Sequence, residues 1–415
     1  MRRTFLLCAM AMFTVSTASA GPLSEASVDL RAYVPQQERT GQDPTVAIAV
    51  AVSGGGLRAG NYGLGVLLGL EEVKTTHGNL LAEVDYFSTI SGGGFTAGAY
   101  VSSRHDHVGP DVYSLADAVA AGTPLRAALL DGYTGRMFGH GCEVYRVSRH
   151  RGHALEKLLD DRVLGADTRQ TSLVLGDLWH RAGTPVAPEK LLPYWVANAA
   201  IVENGAVFPF APDVLARARV DGFVHRCKDE VIKDPFEMPL SVGMKASASF
   251  PGGVPGTVLH SGLYPHRPYV RLTDGGVSDN QGIVTAIELL LAEPSPVARR
   301  VLVVVDAYRG DDIDEFSDED TPPSAAVELG RAVYLMKAAQ RLNYARLVGH
   351  LCRAAGIGFV YLDLSAVPSA ALQAKVRDIS TGFSLTRDEQ DDLIEAGRTA
   401  VASHLGALRA AGVPQ

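Results

Sequence analysis

The sequence is poor in cysteine and contains no long apolar stretch beyond its first twenty residues. Only four of its 415 residues are cysteines, and their spacing matches no metal-ligand set. The histidine pairs at 105/107 and 150/153 have no carboxylate or cysteine at a matching position, so we predict no metal site. Because no later stretch reaches roughly 18 uninterrupted apolar residues, we predict no transmembrane segment after residue 20.

The chain also has fewer basic than acidic residues. The chain has 38 Lys and Arg against 46 Asp and Glu, a formal net charge of −8, which gives nucleic acid no general attraction. Hydrophobic residues make up 47% of the chain, enough for a large buried core. These values predict a globular protein with one large α/β domain or two smaller ones.

The first twenty residues have the pattern of a cleaved secretory signal. Arg2 and Arg3 precede an apolar run over 5–15, and small residues end the segment at Ala20. Cleavage there leaves three cysteines, enough for one disulfide at most, and a net charge of −10 after the two arginines are lost. We therefore expect an exported protein, periplasmic, outer-membrane-associated or secreted, with a polar leader over 21–44.

Two successive strand, glycine and helix units follow the leader. The run TVAIAVAV over 45–52 predicts a strand buried on both faces, and SGGGLRAG over 53–60 leads from it into a helix over 61–73. A second apolar run starts at Val84 and passes through Ser91 into three glycines. Such units predict a parallel sheet whose functional loops lie at the carboxyl ends of the strands.

Ser91 is the predicted nucleophile. The turn pattern Gly-x-Ser-x-Gly is met at Ser91 and Gly93, but Thr89 stands where the first glycine is expected. Backbone N–H groups free of side chains can stabilise the oxyanion of acyl transfer, each by about 3–4 kcal/mol. The predicted donors are Gly54, Gly55, Gly56 and Gly92.

Two charged residues complete the candidate site. Asp274 follows an apolar strand in TDGGV and is a candidate base, although an aspartate in a turn is often only a cap. Arg58, just after the first glycine run, is predicted to bind a substrate phosphate; orienting that loop and a helix-terminus salt bridge are the alternatives.

The remaining chain contains further predicted elements around a less regular insertion or cap over 102–187, in which helices are expected near 114–130 and 155–163. Strands are predicted near Tyr194, from Tyr269 and from Val301. The predicted helices cover 282–291, 325–350 and 386–408.

Together the stretches GGGLRAG, TISGGG and DGGVSDNQG resemble the patatin-like phospholipases. That family's signature is a Gly-Gly-Gly-x-Arg-Gly loop, a Gly-x-Ser-x-Gly elbow and an Asp-Gly-Gly or Asp-Gly-Ala turn. The stretches PYWVANAAIVENGAVFPF and ASASFP are also similar to bacterial members, so the likeness spans about 45–400. The sequence differs from the signature at Ala59, which separates the arginine from its glycine, and at Thr89.

The resemblance implies a three-layer α/β/α fold with a mainly parallel central sheet, over 45–408. It also implies a Ser91–Asp274 dyad that forms an acyl-enzyme and hydrolyses carboxylic esters of lipids, phospholipids or lysophospholipids, at a membrane surface. No metal or organic cofactor is implied.

Three other interpretations remain open. A Ser-His-Asp triad could use Asp306 with His350 or His404. Gly54-x-Gly56-x-x-Ala59 satisfies a loose dinucleotide fingerprint, although no acidic residue ends a following strand about 20 residues on. Thr89 leaves room for a catalytically impaired, lipid-binding member of the same fold.

Overall fold

The structure is a computed structural model, and it describes most of the chain after residue 42. The described residues are 43–107, 113–120, 123–130, 154–165, 170–180, 184, 191–225, 228–251, 253–263, 266–293, 297–308, 324, 341, 344–382 and 384–415. The predicted signal, nearly all of the leader and three of the four cysteines lie outside them. The fourth, Cys352, is a buried free thiol whose pKa burial raises.

Twelve strands are found in the described residues. They are β1 Val46–Val52, β2 Lys74–Thr75, β3 Gly78–Asn79, β4 Tyr86–Ile90, β5 Tyr194–Ile201, β6 Val207–Pro209, β7 Val220–His225, β8 Lys228–Val231, β9 Thr257–Ser261, β10 Tyr269–Asp274, β11 Arg299–Asp306 and β12 Ile357–Asp363.

Ten helices have both ends in the described part of the chain. They are α1 Gly56–Glu72, α2 Gly93–Asp106, α3 Leu115–Ala118, α4 Pro124–Leu130, α5 Pro212–Arg217, α6 Leu240–Ser247, α7 Ile283–Ala292, α8 Ala370–Asp378, α9 Arg387–Ser403 and α10 Leu405–Ala411. Helical turns also cover 154–163 and 344–354. No helix among the described residues is long and apolar enough to cross a membrane.

One mixed sheet organises the molecule. Its order is β12-β11-β1-β4-β5-β10-β9-β7-β8, with β6 paired to residues 198–200 of β5. The ladders from β12 to β5 are parallel, and those from β5 onward are antiparallel. Strand β1 is wholly apolar and buried along its length, as expected for a strand covered on both faces.

Helices cover both faces of the parallel strands. Helices α1, α2 and α9 pack in one layer with α6, while α7 packs against β1, β4 and β11. Glycines allow α1 and α9 to approach closely, since a Cβ added at Gly65 would lie 2.0 Å from the Ile394 carbonyl oxygen. The predicted three-layer α/β/α architecture is confirmed.

Most elements of the parallel half were predicted from the sequence, but others were not. The strands without a prediction are β2, β3, β6, β7, β8, β9 and β12. Helix α1 starts at Gly56 instead of 61, and the helix predicted over 386–408 is divided at His404 into α9 and α10. The helix predicted over 325–350 has residues 325–340 outside the described part, and the insertion at 102–187 is described only in pieces.

Candidate active site

Ser91 occupies a strained turn between β4 and α2. Its φ is 49°, in the left-handed region that residues with a side chain rarely adopt. The chain can turn this tightly because the next two residues have no side chain. A Cβ on Gly92 would lie 2.0 Å from the Gly56 carbonyl oxygen, and one on Gly93 would lie 2.5 Å from the Ser53 carbonyl oxygen. This is the geometry of a nucleophile elbow, packed directly against the first glycine loop.

Thr89 fits into the elbow because of residues far along the chain. It is fully buried, and its Oγ1 accepts a hydrogen bond from Trp195 Nε1 over 2.8 Å and donates one to the Val196 carbonyl. Helix α2 makes room for this pair with glycines. A Cβ on Gly94 would lie 3.2 Å from Thr89 Oγ1, and one on Gly98 would lie 2.7 Å from the Trp195 ring. The missing signature glycine therefore does not prevent the turn at Ser91.

The first glycine loop lies between Ser91 and two more distant segments. A Cβ added to Gly54 would be 3.4 Å from Ser91 Cβ, but the Gly54 N–H donates to the Asn280 carbonyl over 2.9 Å. The prediction of Gly54 as an oxyanion donor is therefore wrong. Gly55 and Gly56 have φ values of 145° and 60°, and their N–H groups and that of Gly92 meet no acceptor among the described residues.

Arg58 is buried in the fold. Its Nε donates to the Ala307 carbonyl and its Nη1 to the Ile379 carbonyl, each over 2.8 Å, and only 5% of the residue is exposed. The assignment of Arg58 to substrate binding is thus corrected: the side chain ties the start of α1 to the ends of two other segments. It matches the alternative role of orienting the glycine loop.

Asp274 ends β10 at the same height as Ser91. In the sheet Ile90 pairs with Asn198 and Asp274 pairs with Ala199, so β4 and β10 end beside consecutive residues of β5. Asp274 is 5% exposed, and its Oδ1 accepts the Gly276 N–H over 2.8 Å. Gly275 lies against Ile90, since a Cβ there would be 3.1 Å from Ile90 Cδ1.

The Asn280 side-chain amide lies against the two glycines that neighbour the candidate catalytic residues, Gly54 and Gly276. Its Oδ1 lies 2.7 Å from a Cβ built on Gly54 and 2.5 Å from one built on Gly276, and Asp274 Oδ1 is 3.0 Å from the latter point. The Ser91 hydroxyl makes no hydrogen bond within the described part of the chain. Ser91 and Asp274 therefore lie at one edge of the sheet without a hydrogen bond between them, and such bonds often form only when substrate binds.

Helix α6 supports the site from one face of the sheet. Ser247, at its end, is buried, and its Oγ accepts the Ser91 backbone N–H over 2.8 Å. One half-turn earlier, Lys245 donates to the Gly256 carbonyl and to Thr257 Oγ1. Burial lowers the pKa of Lys245 to about 8, against the opposing effect of Glu156.

The Ser-His-Asp interpretation is wrong, because Asp306 is committed elsewhere. Its Oδ2 accepts from Gln281 Nε2 and Arg341 Nε, each over 2.7 Å, and from the Tyr361 hydroxyl. The two proposed histidines do not join it. His350 contacts Arg353, and His404 contacts the Ala400 carbonyl.

The dinucleotide interpretation fails at the start of α1. A pyrophosphate would need the N–H groups of this helix terminus. The Leu57 N–H instead donates to the Gly382 carbonyl over 2.9 Å, and that oxygen lies 2.3 Å from a Cβ built on Gly56. Across the described residues, no group of three His, Cys, Asp or Glu side chains is placed to hold a metal ion.

Sequence reasoning missed two residues at this edge, Asn280 and Ser247. Both belong to stretches that it did quote, DGGVSDNQG and ASASFP. The quoted stretches contain nothing that shows which polar residue faces the elbow, because that depends on how α6 and β10 pack beside β4.

Comparison with known proteins identifies the group to which this architecture corresponds. The family model described as patatin-like phospholipase matches residues 50–287, more than half of the chain and all of the site described above. A sequence comparison with curated proteins finds no match.

Solved structures give distant likenesses. The human GIVD cytosolic phospholipase A2 is 12% identical with a TM-score of 0.47, covering 88% of this chain and 60% of its own. VipD from Legionella pneumophila is 12% identical with a TM-score of 0.36, covering 90% of this chain and 67% of its own. The chain thus spans about 60% of the length of the human enzyme.

Proposed function

The chain belongs to the patatin-like phospholipase family, and from this premise we propose that it is a lipid acyl hydrolase. Its substrates in this proposal are carboxylic esters of phospholipids or lysophospholipids, met at a membrane surface. The observation that carries the proposal is the left-handed backbone of Ser91, held at the end of β4 against a loop of bare glycines. Backbone strain of this kind persists only where the surrounding structure enforces it, and it is concentrated at functional sites.

In the proposed mechanism Ser91 Oγ attacks the ester carbonyl while Asp274 accepts its proton. The Ser91 hydroxyl must come into hydrogen-bond distance of the Asp274 carboxylate for this step, because that hydroxyl makes no hydrogen bond within the described part of the chain. The N–H groups of Gly55, Gly56 and Gly92 would stabilise the oxyanion. The alcohol or lysolipid then leaves with a proton, and water attacks the acyl-enzyme with the roles of the dyad reversed.

The experiment is to incubate the purified protein with defined phospholipids, lysophospholipids and triacylglycerols and to identify the products by mass. Release of free fatty acid that depends on both Ser91 and Asp274 is the expected result. A folded protein that binds lipid vesicles but releases no fatty acid from any of them would contradict the hydrolase proposal and favour a lipid-binding member of the family.

A further inference from the structure

Two exposed apolar side chains flank Asp274. Phe250 is 54% exposed and Val277 is 49% exposed, although large apolar residues elsewhere in the described sheet are mostly buried. Single exposed apolar residues are common on protein surfaces and need no explanation. These two are informative because of where they lie.

Backbone hydrogen bonds fix both residues beside the candidate base. The Asp274 N–H donates to the Ser249 carbonyl over 3.0 Å, which places the next residue, Phe250, alongside the end of β10. Val277 ends the single 3-10 turn, Gly275–Val277, that follows Asp274 and is capped by its carboxylate. Phe250 and Val277 therefore project from the two segments that meet at Asp274.

The segments that carry them have no charge. No ionisable side chain occurs over 246–259 or over 275–278, although 20% of the whole chain is charged. Moving Phe250 and Val277 from water into the headgroup region of a bilayer would bury apolar surface, and no ion on these segments would lose its water.

We infer that Phe250 and Val277 form a docking rim that contacts the uncharged interfacial layer of a lipid membrane next to the active site. The inference rests on the proposed function, because it explains how an ester held in a bilayer comes within reach of Ser91. A rim without cations suits zwitterionic lipid, because it offers anionic headgroups no attraction, in keeping with the acidic chain.

The test uses the full chain and phosphatidylcholine vesicles. Binding is measured by co-sedimentation in a Ser91→Ala background, so that the lipid is not consumed. The double variant Phe250→Ser/Val277→Ser is expected to bind vesicles about tenfold or more weakly. With Ser91 intact, the same double variant should hydrolyse a soluble short-chain nitrophenyl ester within about twofold of wild type, because neither side chain is part of the catalytic group.

A matched control removes apolar side chains that are at least as exposed but lie on other elements. Val231, on the edge strand β8, and Leu347, on the 344–354 helix, are both more than half exposed. The variant Val231→Ser/Leu347→Ser should bind vesicles as wild type does. Equal vesicle binding by the rim variant and wild type, equal loss in the control, or no vesicle binding by wild type would each overturn the inference.

Two further outcomes separate this inference from its rivals. Loss of a concentration-dependent dimer in the rim variant, with vesicle binding unchanged, would assign the rim to contact with a second copy of the chain and overturn membrane docking. If no protein hydrolyses the soluble ester or the lipid, the proposed function fails, while the Ser91→Ala binding comparison still decides whether the rim docks on membranes.

Discussion

The backbone N–H of Ser91 donates to Oγ of Ser247 across 2.8 Å, so a buried hydroxyl on α6 holds the residue that carries the predicted nucleophile. An N–H at the apex of a strained turn has no intrahelical partner and would otherwise be left unsatisfied. The contact fixes the elbow relative to the helix that lies against β5 and β10.

Replacing Ser247 by Ala should lower kcat about tenfold to a hundredfold with little change in KM, since an elbow hydrogen bond worth about 1–3 kcal/mol is lost. Ser247→Thr, which keeps the hydroxyl, should recover part of the rate. Ser249→Ala is the matched control, because among the described residues that hydroxyl bonds to the Lys245 and Pro255 carbonyls alone. Steady-state kinetics on a soluble ester measures all three, and equal losses at 247 and 249 would contradict the positioning role.

Gly92→Ala should destabilise the fold by more than about 2 kcal/mol, because its Cβ would overlap the Gly56 carbonyl, a backbone atom that cannot turn aside. Gly406→Ala is the control: it lies in α10, and nothing described is within 4 Å of the added Cβ. That change should be neutral or stabilising by up to about 1 kcal/mol. Urea unfolding of both variants gives the comparison.

Arg58→Lys should cost about 2–4 kcal/mol of stability, because an ammonium cannot reproduce the forked contacts to the Ala307 and Ile379 carbonyls. Arg271→Lys, an exposed residue paired with Glu203, should cost less than about 1 kcal/mol. Turnover of soluble ester and phospholipid should fall together in Arg58→Lys. A loss confined to phospholipid KM would restore the substrate-binding assignment.

Lys245 should make stability depend on alkaline pH. Its folded-state pKa of about 8 lies below the unfolded value of 10.5, so the unfolded chain binds more protons between these limits. Burying the charged form therefore lowers the free energy of unfolding fully below pH 8. This loss of stability disappears as the pH rises toward 10.5. The free energy of unfolding of wild type minus that of Lys245→Met should increase by about 1 kcal/mol or more over this window.

The control for this measurement is Lys233→Met, at an exposed position. Its free energy of unfolding is compared with that of wild type across the same pH range. A flat difference for Lys245→Met would mean that Lys245 is not buried as a charge in the folded protein.

The parallel half of the fold could be predicted because its signals are local. A mainly apolar run and a glycine turn mark β1 and β4 without reference to the rest of the chain. Strands such as β8, KDEV, lie at the sheet edge and are polar, so only their pairing with β7 makes them strands.

The same distinction explains the candidate site. Ser91 and Asp274 are each marked by the glycines beside them, and the structure places both at one edge of the sheet. Local sequence could not show how Thr89 fits into the elbow, because its partner, Trp195, is 106 positions away. Arg58 was assigned to substrate because its carbonyl partners lie 249 and 321 positions further along. Residues whose roles depend on such contacts cannot be assigned from local sequence.

Covalent labelling with a fluorophosphonate, followed by peptide mass analysis, tests the Ser91–Asp274 dyad most directly. We predict one phosphonylated residue, Ser91, in wild type, no label in Ser91→Ala, and labelling at least about a hundredfold slower in a folded Asp274→Asn protein. Label on another serine, or full-rate labelling of Ser91 when Asp274 is Asn, would contradict the dyad.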